Sequence, residues 1–233
     1  MNVMRAVLAW LVASATLVSV PAPAPATAAT VTLDGVMVEL RPETRQVITV
    51  NHTRGYRARV TLWRLLGGTW ERRLRASGRI GYGGLVAGDE REQGTGTTPL
   101  GTYPLLFSFG TRTRNTAWDL PHRRIRRGDY WVQDNRSDYY NRYRNKASGG
   151  FRWWLAASNV NSSEPLSAYP VEYEYSIVIG YNWEQVRHRG SGIFLHVNGS
   201  GATAGCVSAP RWFVRQMLVR LDPDRRPLIV IGR

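Results

Sequence analysis

The chain has a single cysteine, Cys206, and one of its four histidines stands ten residues before it. The stretch Gly192-Ile-Phe-Leu-His196-Val-Asn-Gly-Ser-Gly201-Ala-Thr-Ala-Gly205-Cys206-Val-Ser-Ala-Pro210 reads as an apolar strand that delivers His196 at its end. A loop with glycines at 199, 201 and 205 follows, and Cys206 lies a few residues before a helix. A free thiol is mostly protonated at its ordinary pKa of about 8.5, so a cysteine nucleophile needs a nearby base. His196 supplies one if the loop folds back on itself. Gly205 lets backbone N–H groups approach a reacting carbonyl oxygen, as an oxyanion hole requires. The helix after the cysteine turns its positive end toward the same place, a modest aid that fades within a turn. Spacing leaves three readings open: a catalytic thiol, a small buried apolar residue, or an unpaired cysteine bridging two chains. His52, His122, His188, His196 and Cys206 show no ligand spacing of a zinc motif, so no metal is expected.

The elements that must position these residues are mostly strands. Gln46–Val50 and Ala58–Trp63 are β-branched and alternate apolar with polar, and Gly67-Gly68 marks a turn after them. A glycine-rich stretch, 78–96, precedes a strand over Thr102–Phe107. Further strands are expected over Glu172–Gly180 and Gly192–Val197, with a last buried one over Pro227–Gly232. The single convincing helix is Pro210–Leu221, where Phe213, Val214, Met217, Leu218 and Leu221 share a face. Ser208 or Ala209 can cap it, and Asp222-Pro223 stops it. The polar, aromatic stretch 112–170 reads as a long insertion or irregular face, and loops of that length are commonly functional. Its pairs Tyr130-Trp131, Tyr139-Tyr140 and Trp153-Trp154 line either a groove or the core. No repeat and no composition break interrupts residues 29–233, which predicts one mainly-β domain.

Composition bounds the class. Of 233 residues, 43 % are hydrophobic and 21 % charged, as in a chain that can bury a core. Arg5, an apolar run from Ala6 to Val20 and the Pro/Ala-rich end at Ala28-Ala29 describe a secretory signal peptide over 1–28, the run being short for a spanning helix; an uncleaved N-terminal anchor is the alternative. No stable membrane span is expected after its removal. The remainder carries 30 basic against 17 acidic residues, a net +13. A basic exported protein is expected to meet anionic cell-envelope polymers rather than nucleic acid.

The His196…Thr203-Ala-Gly205-Cys206-Val pattern resembles the signature of the L,D-transpeptidase (YkuD-type) catalytic domain, in which a strand histidine precedes a Ser/Thr-x-Gly-Cys-aliphatic turn. Gly94-Thr-Gly-Thr-Thr-Pro-Leu-Gly-Thr-Tyr103-Pro, Gly128-Asp-Tyr-Trp-Val132, Tyr139-Tyr-Asn141 and Ile177-Val-Ile-Gly-Tyr-Asn182 resemble other pieces of that family in the same order. The resemblance runs from 78 to 232, and more weakly from 46. It implies a β-sandwich-like catalytic domain, with one C-terminal amphipathic helix followed by a final strand, acting on peptidoglycan stem peptides; the exported chain is expected outside the cytoplasmic membrane, associated with the cell wall.

Carried over, the resemblance makes Cys206 the nucleophile and His196 its base. Gly205 and Cys206 become the oxyanion donors, and Thr203 takes the family's Ser position. The thiol would attack a tetrapeptide stem, expel D-alanine and form a thioester. An amine resolves that thioester into a 3→3 cross-link; water would leave a trimmed stem, as in an L,D-carboxypeptidase. No cofactor enters. On this reading Cys206 outpaces an unfolded-state thiol toward a thiol reagent at mildly acidic pH, an advantage that His196→Ala removes. A non-catalytic, basic wall-binding protein on the same fold is the competing class. The chain departs from the pattern at Ser208, where many members carry an Arg suited to gripping a carboxylate. Arg211 is a candidate replacement, so Ser208 and Arg211 are the substrate-binding candidates.

Overall fold

The computed structural model describes residues 29–233, and the expected leader over 1–28 lies outside the described residues. Strands β1 (Ala29–Leu33) and β2 (Val36–Leu40) form a hairpin. It turns on Asp34-Gly35 with both φ values positive, 56° and 82°, as a two-residue hairpin turn requires. Strands β3 (Gln46–Arg54), β4 (Arg57–Leu66) and β5 (Thr69–Arg79) follow as an antiparallel meander, and Gly67-Gly68 makes the expected second turn. Then come β6 (Leu85–Ala87), β7 (Thr98–Gly110), β8 (His122–Arg124), β9 (Asp129–Trp131), β10 (Tyr143–Asn145) and β11 (Glu164–Pro165). The chain ends with β12 (Ser176–Ile179), β13 (Phe194–Val197), β14 (Val207–Ala209), α1 (Arg211–Arg220) and β15 (Leu228–Gly232). This is the mainly-β architecture, with one helix and a final strand, that the sequence predicts.

The main sheet runs β12-β13-β14-β5-β4-β3-β15-β7. Its longest strand, β7, pairs with β15 through Gly101–Pro104 and with β12 through Leu105–Phe109. It therefore joins the two ends of the sheet. Ile48, Val50, Val60, Leu62, Ile177, Leu195, Ile229 and Ile231 point to one aliphatic core, and α1 lays Phe213, Val214, Met217 and Leu218 onto it. The other faces of β3 and β15, at Val47 and Val230, are covered by the first hairpin through Leu33, Val36 and Val38. Burial on both faces explains why Gln46–Val50 and Leu228–Ile231 run almost continuously apolar.

Three local expectations need correction. The helix begins at Arg211 with Pro210 at its N-cap position and no side-chain cap; Ser208 lies inside β14 instead. The strand expected over 172–180 is confined to Ser176–Ile179, because Glu172–Glu174 form a 3-10 turn that buries Tyr173 and Glu174. The strand before His196 starts only at Phe194, since Gly192 takes a φ of 65° that no strand permits.

Candidate active site

Strands β13 and β14 lie parallel, with His196 beside Ser208 and Leu195 beside Val207. Side chains alternate across a strand, so Cys206, one residue before β14, and His196 project to the same face. The loop between them does fold back, and both line one pocket of about 340 Å³.

The thiol of Cys206 accepts the Phe194 N–H at 3.4 Å and donates to the Gly192 carbonyl at 3.3 Å. His196 uses Nδ1 on the Val197 carbonyl at 2.8 Å. A carbonyl only accepts, so Nδ1 carries the proton and Nε2 keeps the free lone pair. The edge of the Tyr173 ring packs on His196, centroids 5.5 Å apart, and fixes the imidazole plane.

Thr203 braces the turn. Its Oγ1 donates to the Cys206 carbonyl at 2.6 Å and accepts the Gly205 N–H at 3.2 Å. Behind it, Thr98 Oγ1 donates to the Gly205 carbonyl at 2.7 Å and accepts the Gly81 N–H. Gly205 sits at a φ of 130°, and a Cβ there would stand 2.8 Å from both Arg91 Nη2 and the Thr97 carbonyl. Only glycine fits. The Gly205 N–H is thus engaged within the turn rather than free to meet an oxyanion.

The electrostatics differ from the activated thiolate that the sequence suggested. Burial pushes the Cys206 thiol up to about 12, and the nearby Glu164 carboxylate adds to the rise. Burial draws His196 down to about 4, against the pull of the Val197 hydrogen bond and the charge of Glu172. Both shifts favour the uncharged forms. The resting pair is a neutral thiol and a neutral imidazole, so faster thiol labelling at mildly acidic pH is no longer expected. Glu164, which accepts the Tyr173 hydroxyl at 2.5 Å, is itself raised to about 7 by burial.

Of the residues singled out from sequence, Cys206, His196 and Thr203 line the pocket, and Gly205 forms the turn behind it. The substrate-binding candidates are elsewhere. Ser208 is fully buried and bonds the Asn198 side chain at 2.8 Å. Arg211 pairs with Glu174 at 2.6 Å, where the carboxylate offsets a cation placed against the positive end of α1. Neither lines the pocket.

The pocket instead holds Arg91, Glu164, Glu172, Tyr169 and Tyr173, none of which the sequence marked. From the 112–170 stretch, Gln133, Glu164 and Tyr169 line it. Asn141 accepts the indole N–H of Trp131 at 2.9 Å and the Gly192 N–H at 3.0 Å, and donates to the carbonyls of Tyr181 and Asn182. It thereby holds Gly192, whose carbonyl receives the thiol. Of the aromatic pairs, Trp131 and Tyr140 are core, whereas Trp153, Trp154 and Tyr139 are exposed and line no part of the pocket. Among the described residues no helix is long and apolar enough to cross a membrane.

Comparison with known proteins gives one broad match. The model of the L,D-transpeptidase catalytic domain, YkuD, matches residues 45–230. No curated protein matches the chain. A solved structure titled "Structure of Bdellovibrio bacteriovorus Bd1075" aligns with a TM-score of 0.41 and 14 % identity, covering 81 % of this chain and 48 % of that one. The chain therefore spans about half the length of that protein.

Proposed function

Since the chain belongs to the L,D-transpeptidase catalytic-domain family, we propose that it is an exported, cysteine-dependent acyltransferase of peptidoglycan. It cleaves a tetrapeptide stem before its terminal D-alanine and passes the acyl group to an amine. The observation that carries this reading is the shared pocket: the one thiol and His196 face the same cavity, His196 from β13 and Cys206 from the turn that enters the neighbouring parallel strand β14.

The chemistry follows from the geometry. Cys206 Sγ attacks the carbonyl carbon of the third stem residue while its proton passes to His196 Nε2, the nitrogen left free by the Val197 bond. The Cys206 N–H, unengaged among the described residues, donates to the oxyanion in this reading. The C–N bond to D-alanine then breaks, and the leaving nitrogen takes the proton from His196. An acceptor amine attacks the thioester, the C–S bond breaks, and the thiolate recovers a proton. Because both partners rest uncharged, the ion pair forms only as a substrate reacts. Such a site reacts sparingly with other electrophiles, since the thiolate is the reactive species.

Product analysis tests the reading. The protein without its first 28 residues is incubated with disaccharide-tetrapeptide, and free D-alanine and muropeptides are separated. D-Alanine with a cross-linked dimer is the expected result. D-Alanine with trimmed monomer alone would make the enzyme a carboxypeptidase. No D-alanine, with salt-sensitive sedimentation on purified walls, would make it a binding protein.

A further inference from the structure

Arg91 is the one cation among the residues lining the pocket. The residue is 5 % exposed. Its Nε donates to the Thr97 carbonyl at 2.7 Å and Nη1 to the Arg189 carbonyl at 3.3 Å, while the guanidinium carbon lies 5.5 Å from the Tyr181 ring centre. Among the described residues no carboxylate stands within ion-pair distance of it. The two lining carboxylates are otherwise placed: Glu164 accepts from Tyr173, and Glu172 lies against Gly199.

The fold makes room for this guanidinium with two glycines in the left-handed region. Gly190, at a φ of 91°, would drive a Cβ into Nη1. Gly205, at 130°, would bring one within 2.8 Å of Nη2. Among the described residues no acceptor is bonded by Nη2, and it rests beside Gly205, the residue that precedes the nucleophile. A buried cation without a counter-ion is costly, and buried, perturbed charges concentrate at functional sites.

We propose that Arg91 binds the terminal carboxylate of the stem peptide, the carboxylate that departs with D-alanine when the thioester forms. It takes the place that Ser208 and Arg211 cannot fill, the one buried and the other paired with Glu174. The peptide reading of the pocket is its premise. Nη1 and Nε are tied to carbonyls, so the guanidinium is held still before substrate arrives and Nη2 is the arm that recognises it. A carboxylate held there fixes which bond lies against Sγ, so Arg91 selects peptides that end one residue beyond the attacked carbonyl.

The test separates binding from chemistry. The Cys206→Ala chain is titrated calorimetrically with a tetrapeptide stem ending in D-alanine and with its C-terminal amide. The acid is expected to bind on the order of 30-fold more tightly. Adding Arg91→Gln should weaken the acid alone and bring the two within about threefold. Arg91→Lys, which keeps charge but loses the fixed fork, should fall between. Thermal melting of each variant checks folding. Should Arg91→Gln not fold, the acid–amide comparison and the Lys variant decide. Equal affinities, no binding of either peptide, or a preference that survives Arg91→Gln would overturn the proposal. Acylation of the unmutated chain is followed separately. Preference without a thioester would refute the proposed reaction and keep the carboxylate site; a thioester without preference would do the reverse.

Discussion

The two faces of β12 and β13 are packed on different principles. On one, Ile177, Ile179, Leu195 and Val197 join a mainly aliphatic core made by strands that pair along the sheet and by one helix. On the other, Val178, Phe194 and His196 meet Phe109, Trp131 and Tyr173, and the packing is aromatic, with Trp131 and Tyr173 tied by hydrogen bonds. Most of that second layer comes from the long stretch between β8 and β12. The difference separates stability from reactivity. An aliphatic core tolerates reshaping if volume is kept, whereas a thiol, an imidazole and an oxyanion donor must be held to a fraction of an ångström.

The largest expected effect falls on the aromatic side. Trp131→Ala should destabilise by about 3–5 kcal/mol, and it should also cut turnover well below the melting temperature, because Trp131 backs both Phe194 and Gly192. Ile229→Ala, in the sheet core, should cost about 2–5 kcal/mol and leave turnover unchanged under the same conditions. Denaturant curves and initial rates measured together decide it; a Trp131 variant that melts early but turns over normally would erase the distinction between the faces.

Asn141→Ala comes next. It leaves the Trp131 indole N–H and the Gly192 N–H unpaired, each costing about 1–3 kcal/mol. It also frees the carbonyl that receives the thiol, so the acylation rate should fall more than substrate affinity does. Single-turnover kinetics separate the two.

The pH dependence sharpens the comparison further, because two pocket groups pull in opposite directions. His196 stays neutral when folded down to about 4, while the unfolded chain takes a proton near 6.5. The unfolded state binds more protons in that window, so His196 removes stability as pH falls from 6.5 toward 4. Glu164 behaves oppositely. Folded, it holds its proton up to about 7; unfolded, it releases it near 4.5, so it removes stability as pH rises from 4.5 toward 7. The two slopes cancel over the shared window. Melting curves should therefore show Glu164→Gln losing stability on acidification faster than the parent chain, and His196→Asn losing stability faster on alkalinisation. Parallel curves for all three would contradict the placement of both groups.

The smallest effect is expected from Ile231→Val, about 0.5–1.5 kcal/mol with no change in rate.

What the sequence made legible follows the same division. Val47–Val50 and Leu228–Ile231 announce buried strands because β-branched runs have few other uses, and the face of α1 is set by local periodicity. His196, Thr203, Gly205 and Cys206 are legible because they share one loop whose glycines mark a tight return. Arg91 and Glu164 are not. They reach the pocket from two separate stretches, and no spacing along the chain connects them. Glu164 in particular reads as one acid among surface residues until Tyr173 is seen to bond it. The 3-10 turn at Glu172–Glu174 escaped for a related reason: its Glu-Tyr-Glu-Tyr alternation has the period of a strand. What overrides it is the pairing of buried Glu174 with Arg112 and Arg211, two partners distant in sequence.

The central claim is that Cys206 carries the acyl group. The direct measurement is the intact mass of the protein without its first 28 residues within seconds of mixing with disaccharide-tetrapeptide, alongside Cys206→Ala. The account predicts a transient adduct equal to the substrate less D-alanine, located on the peptide containing Cys206 and missing from the variant. Release of D-alanine by the variant, or an adduct on any other residue, would contradict it.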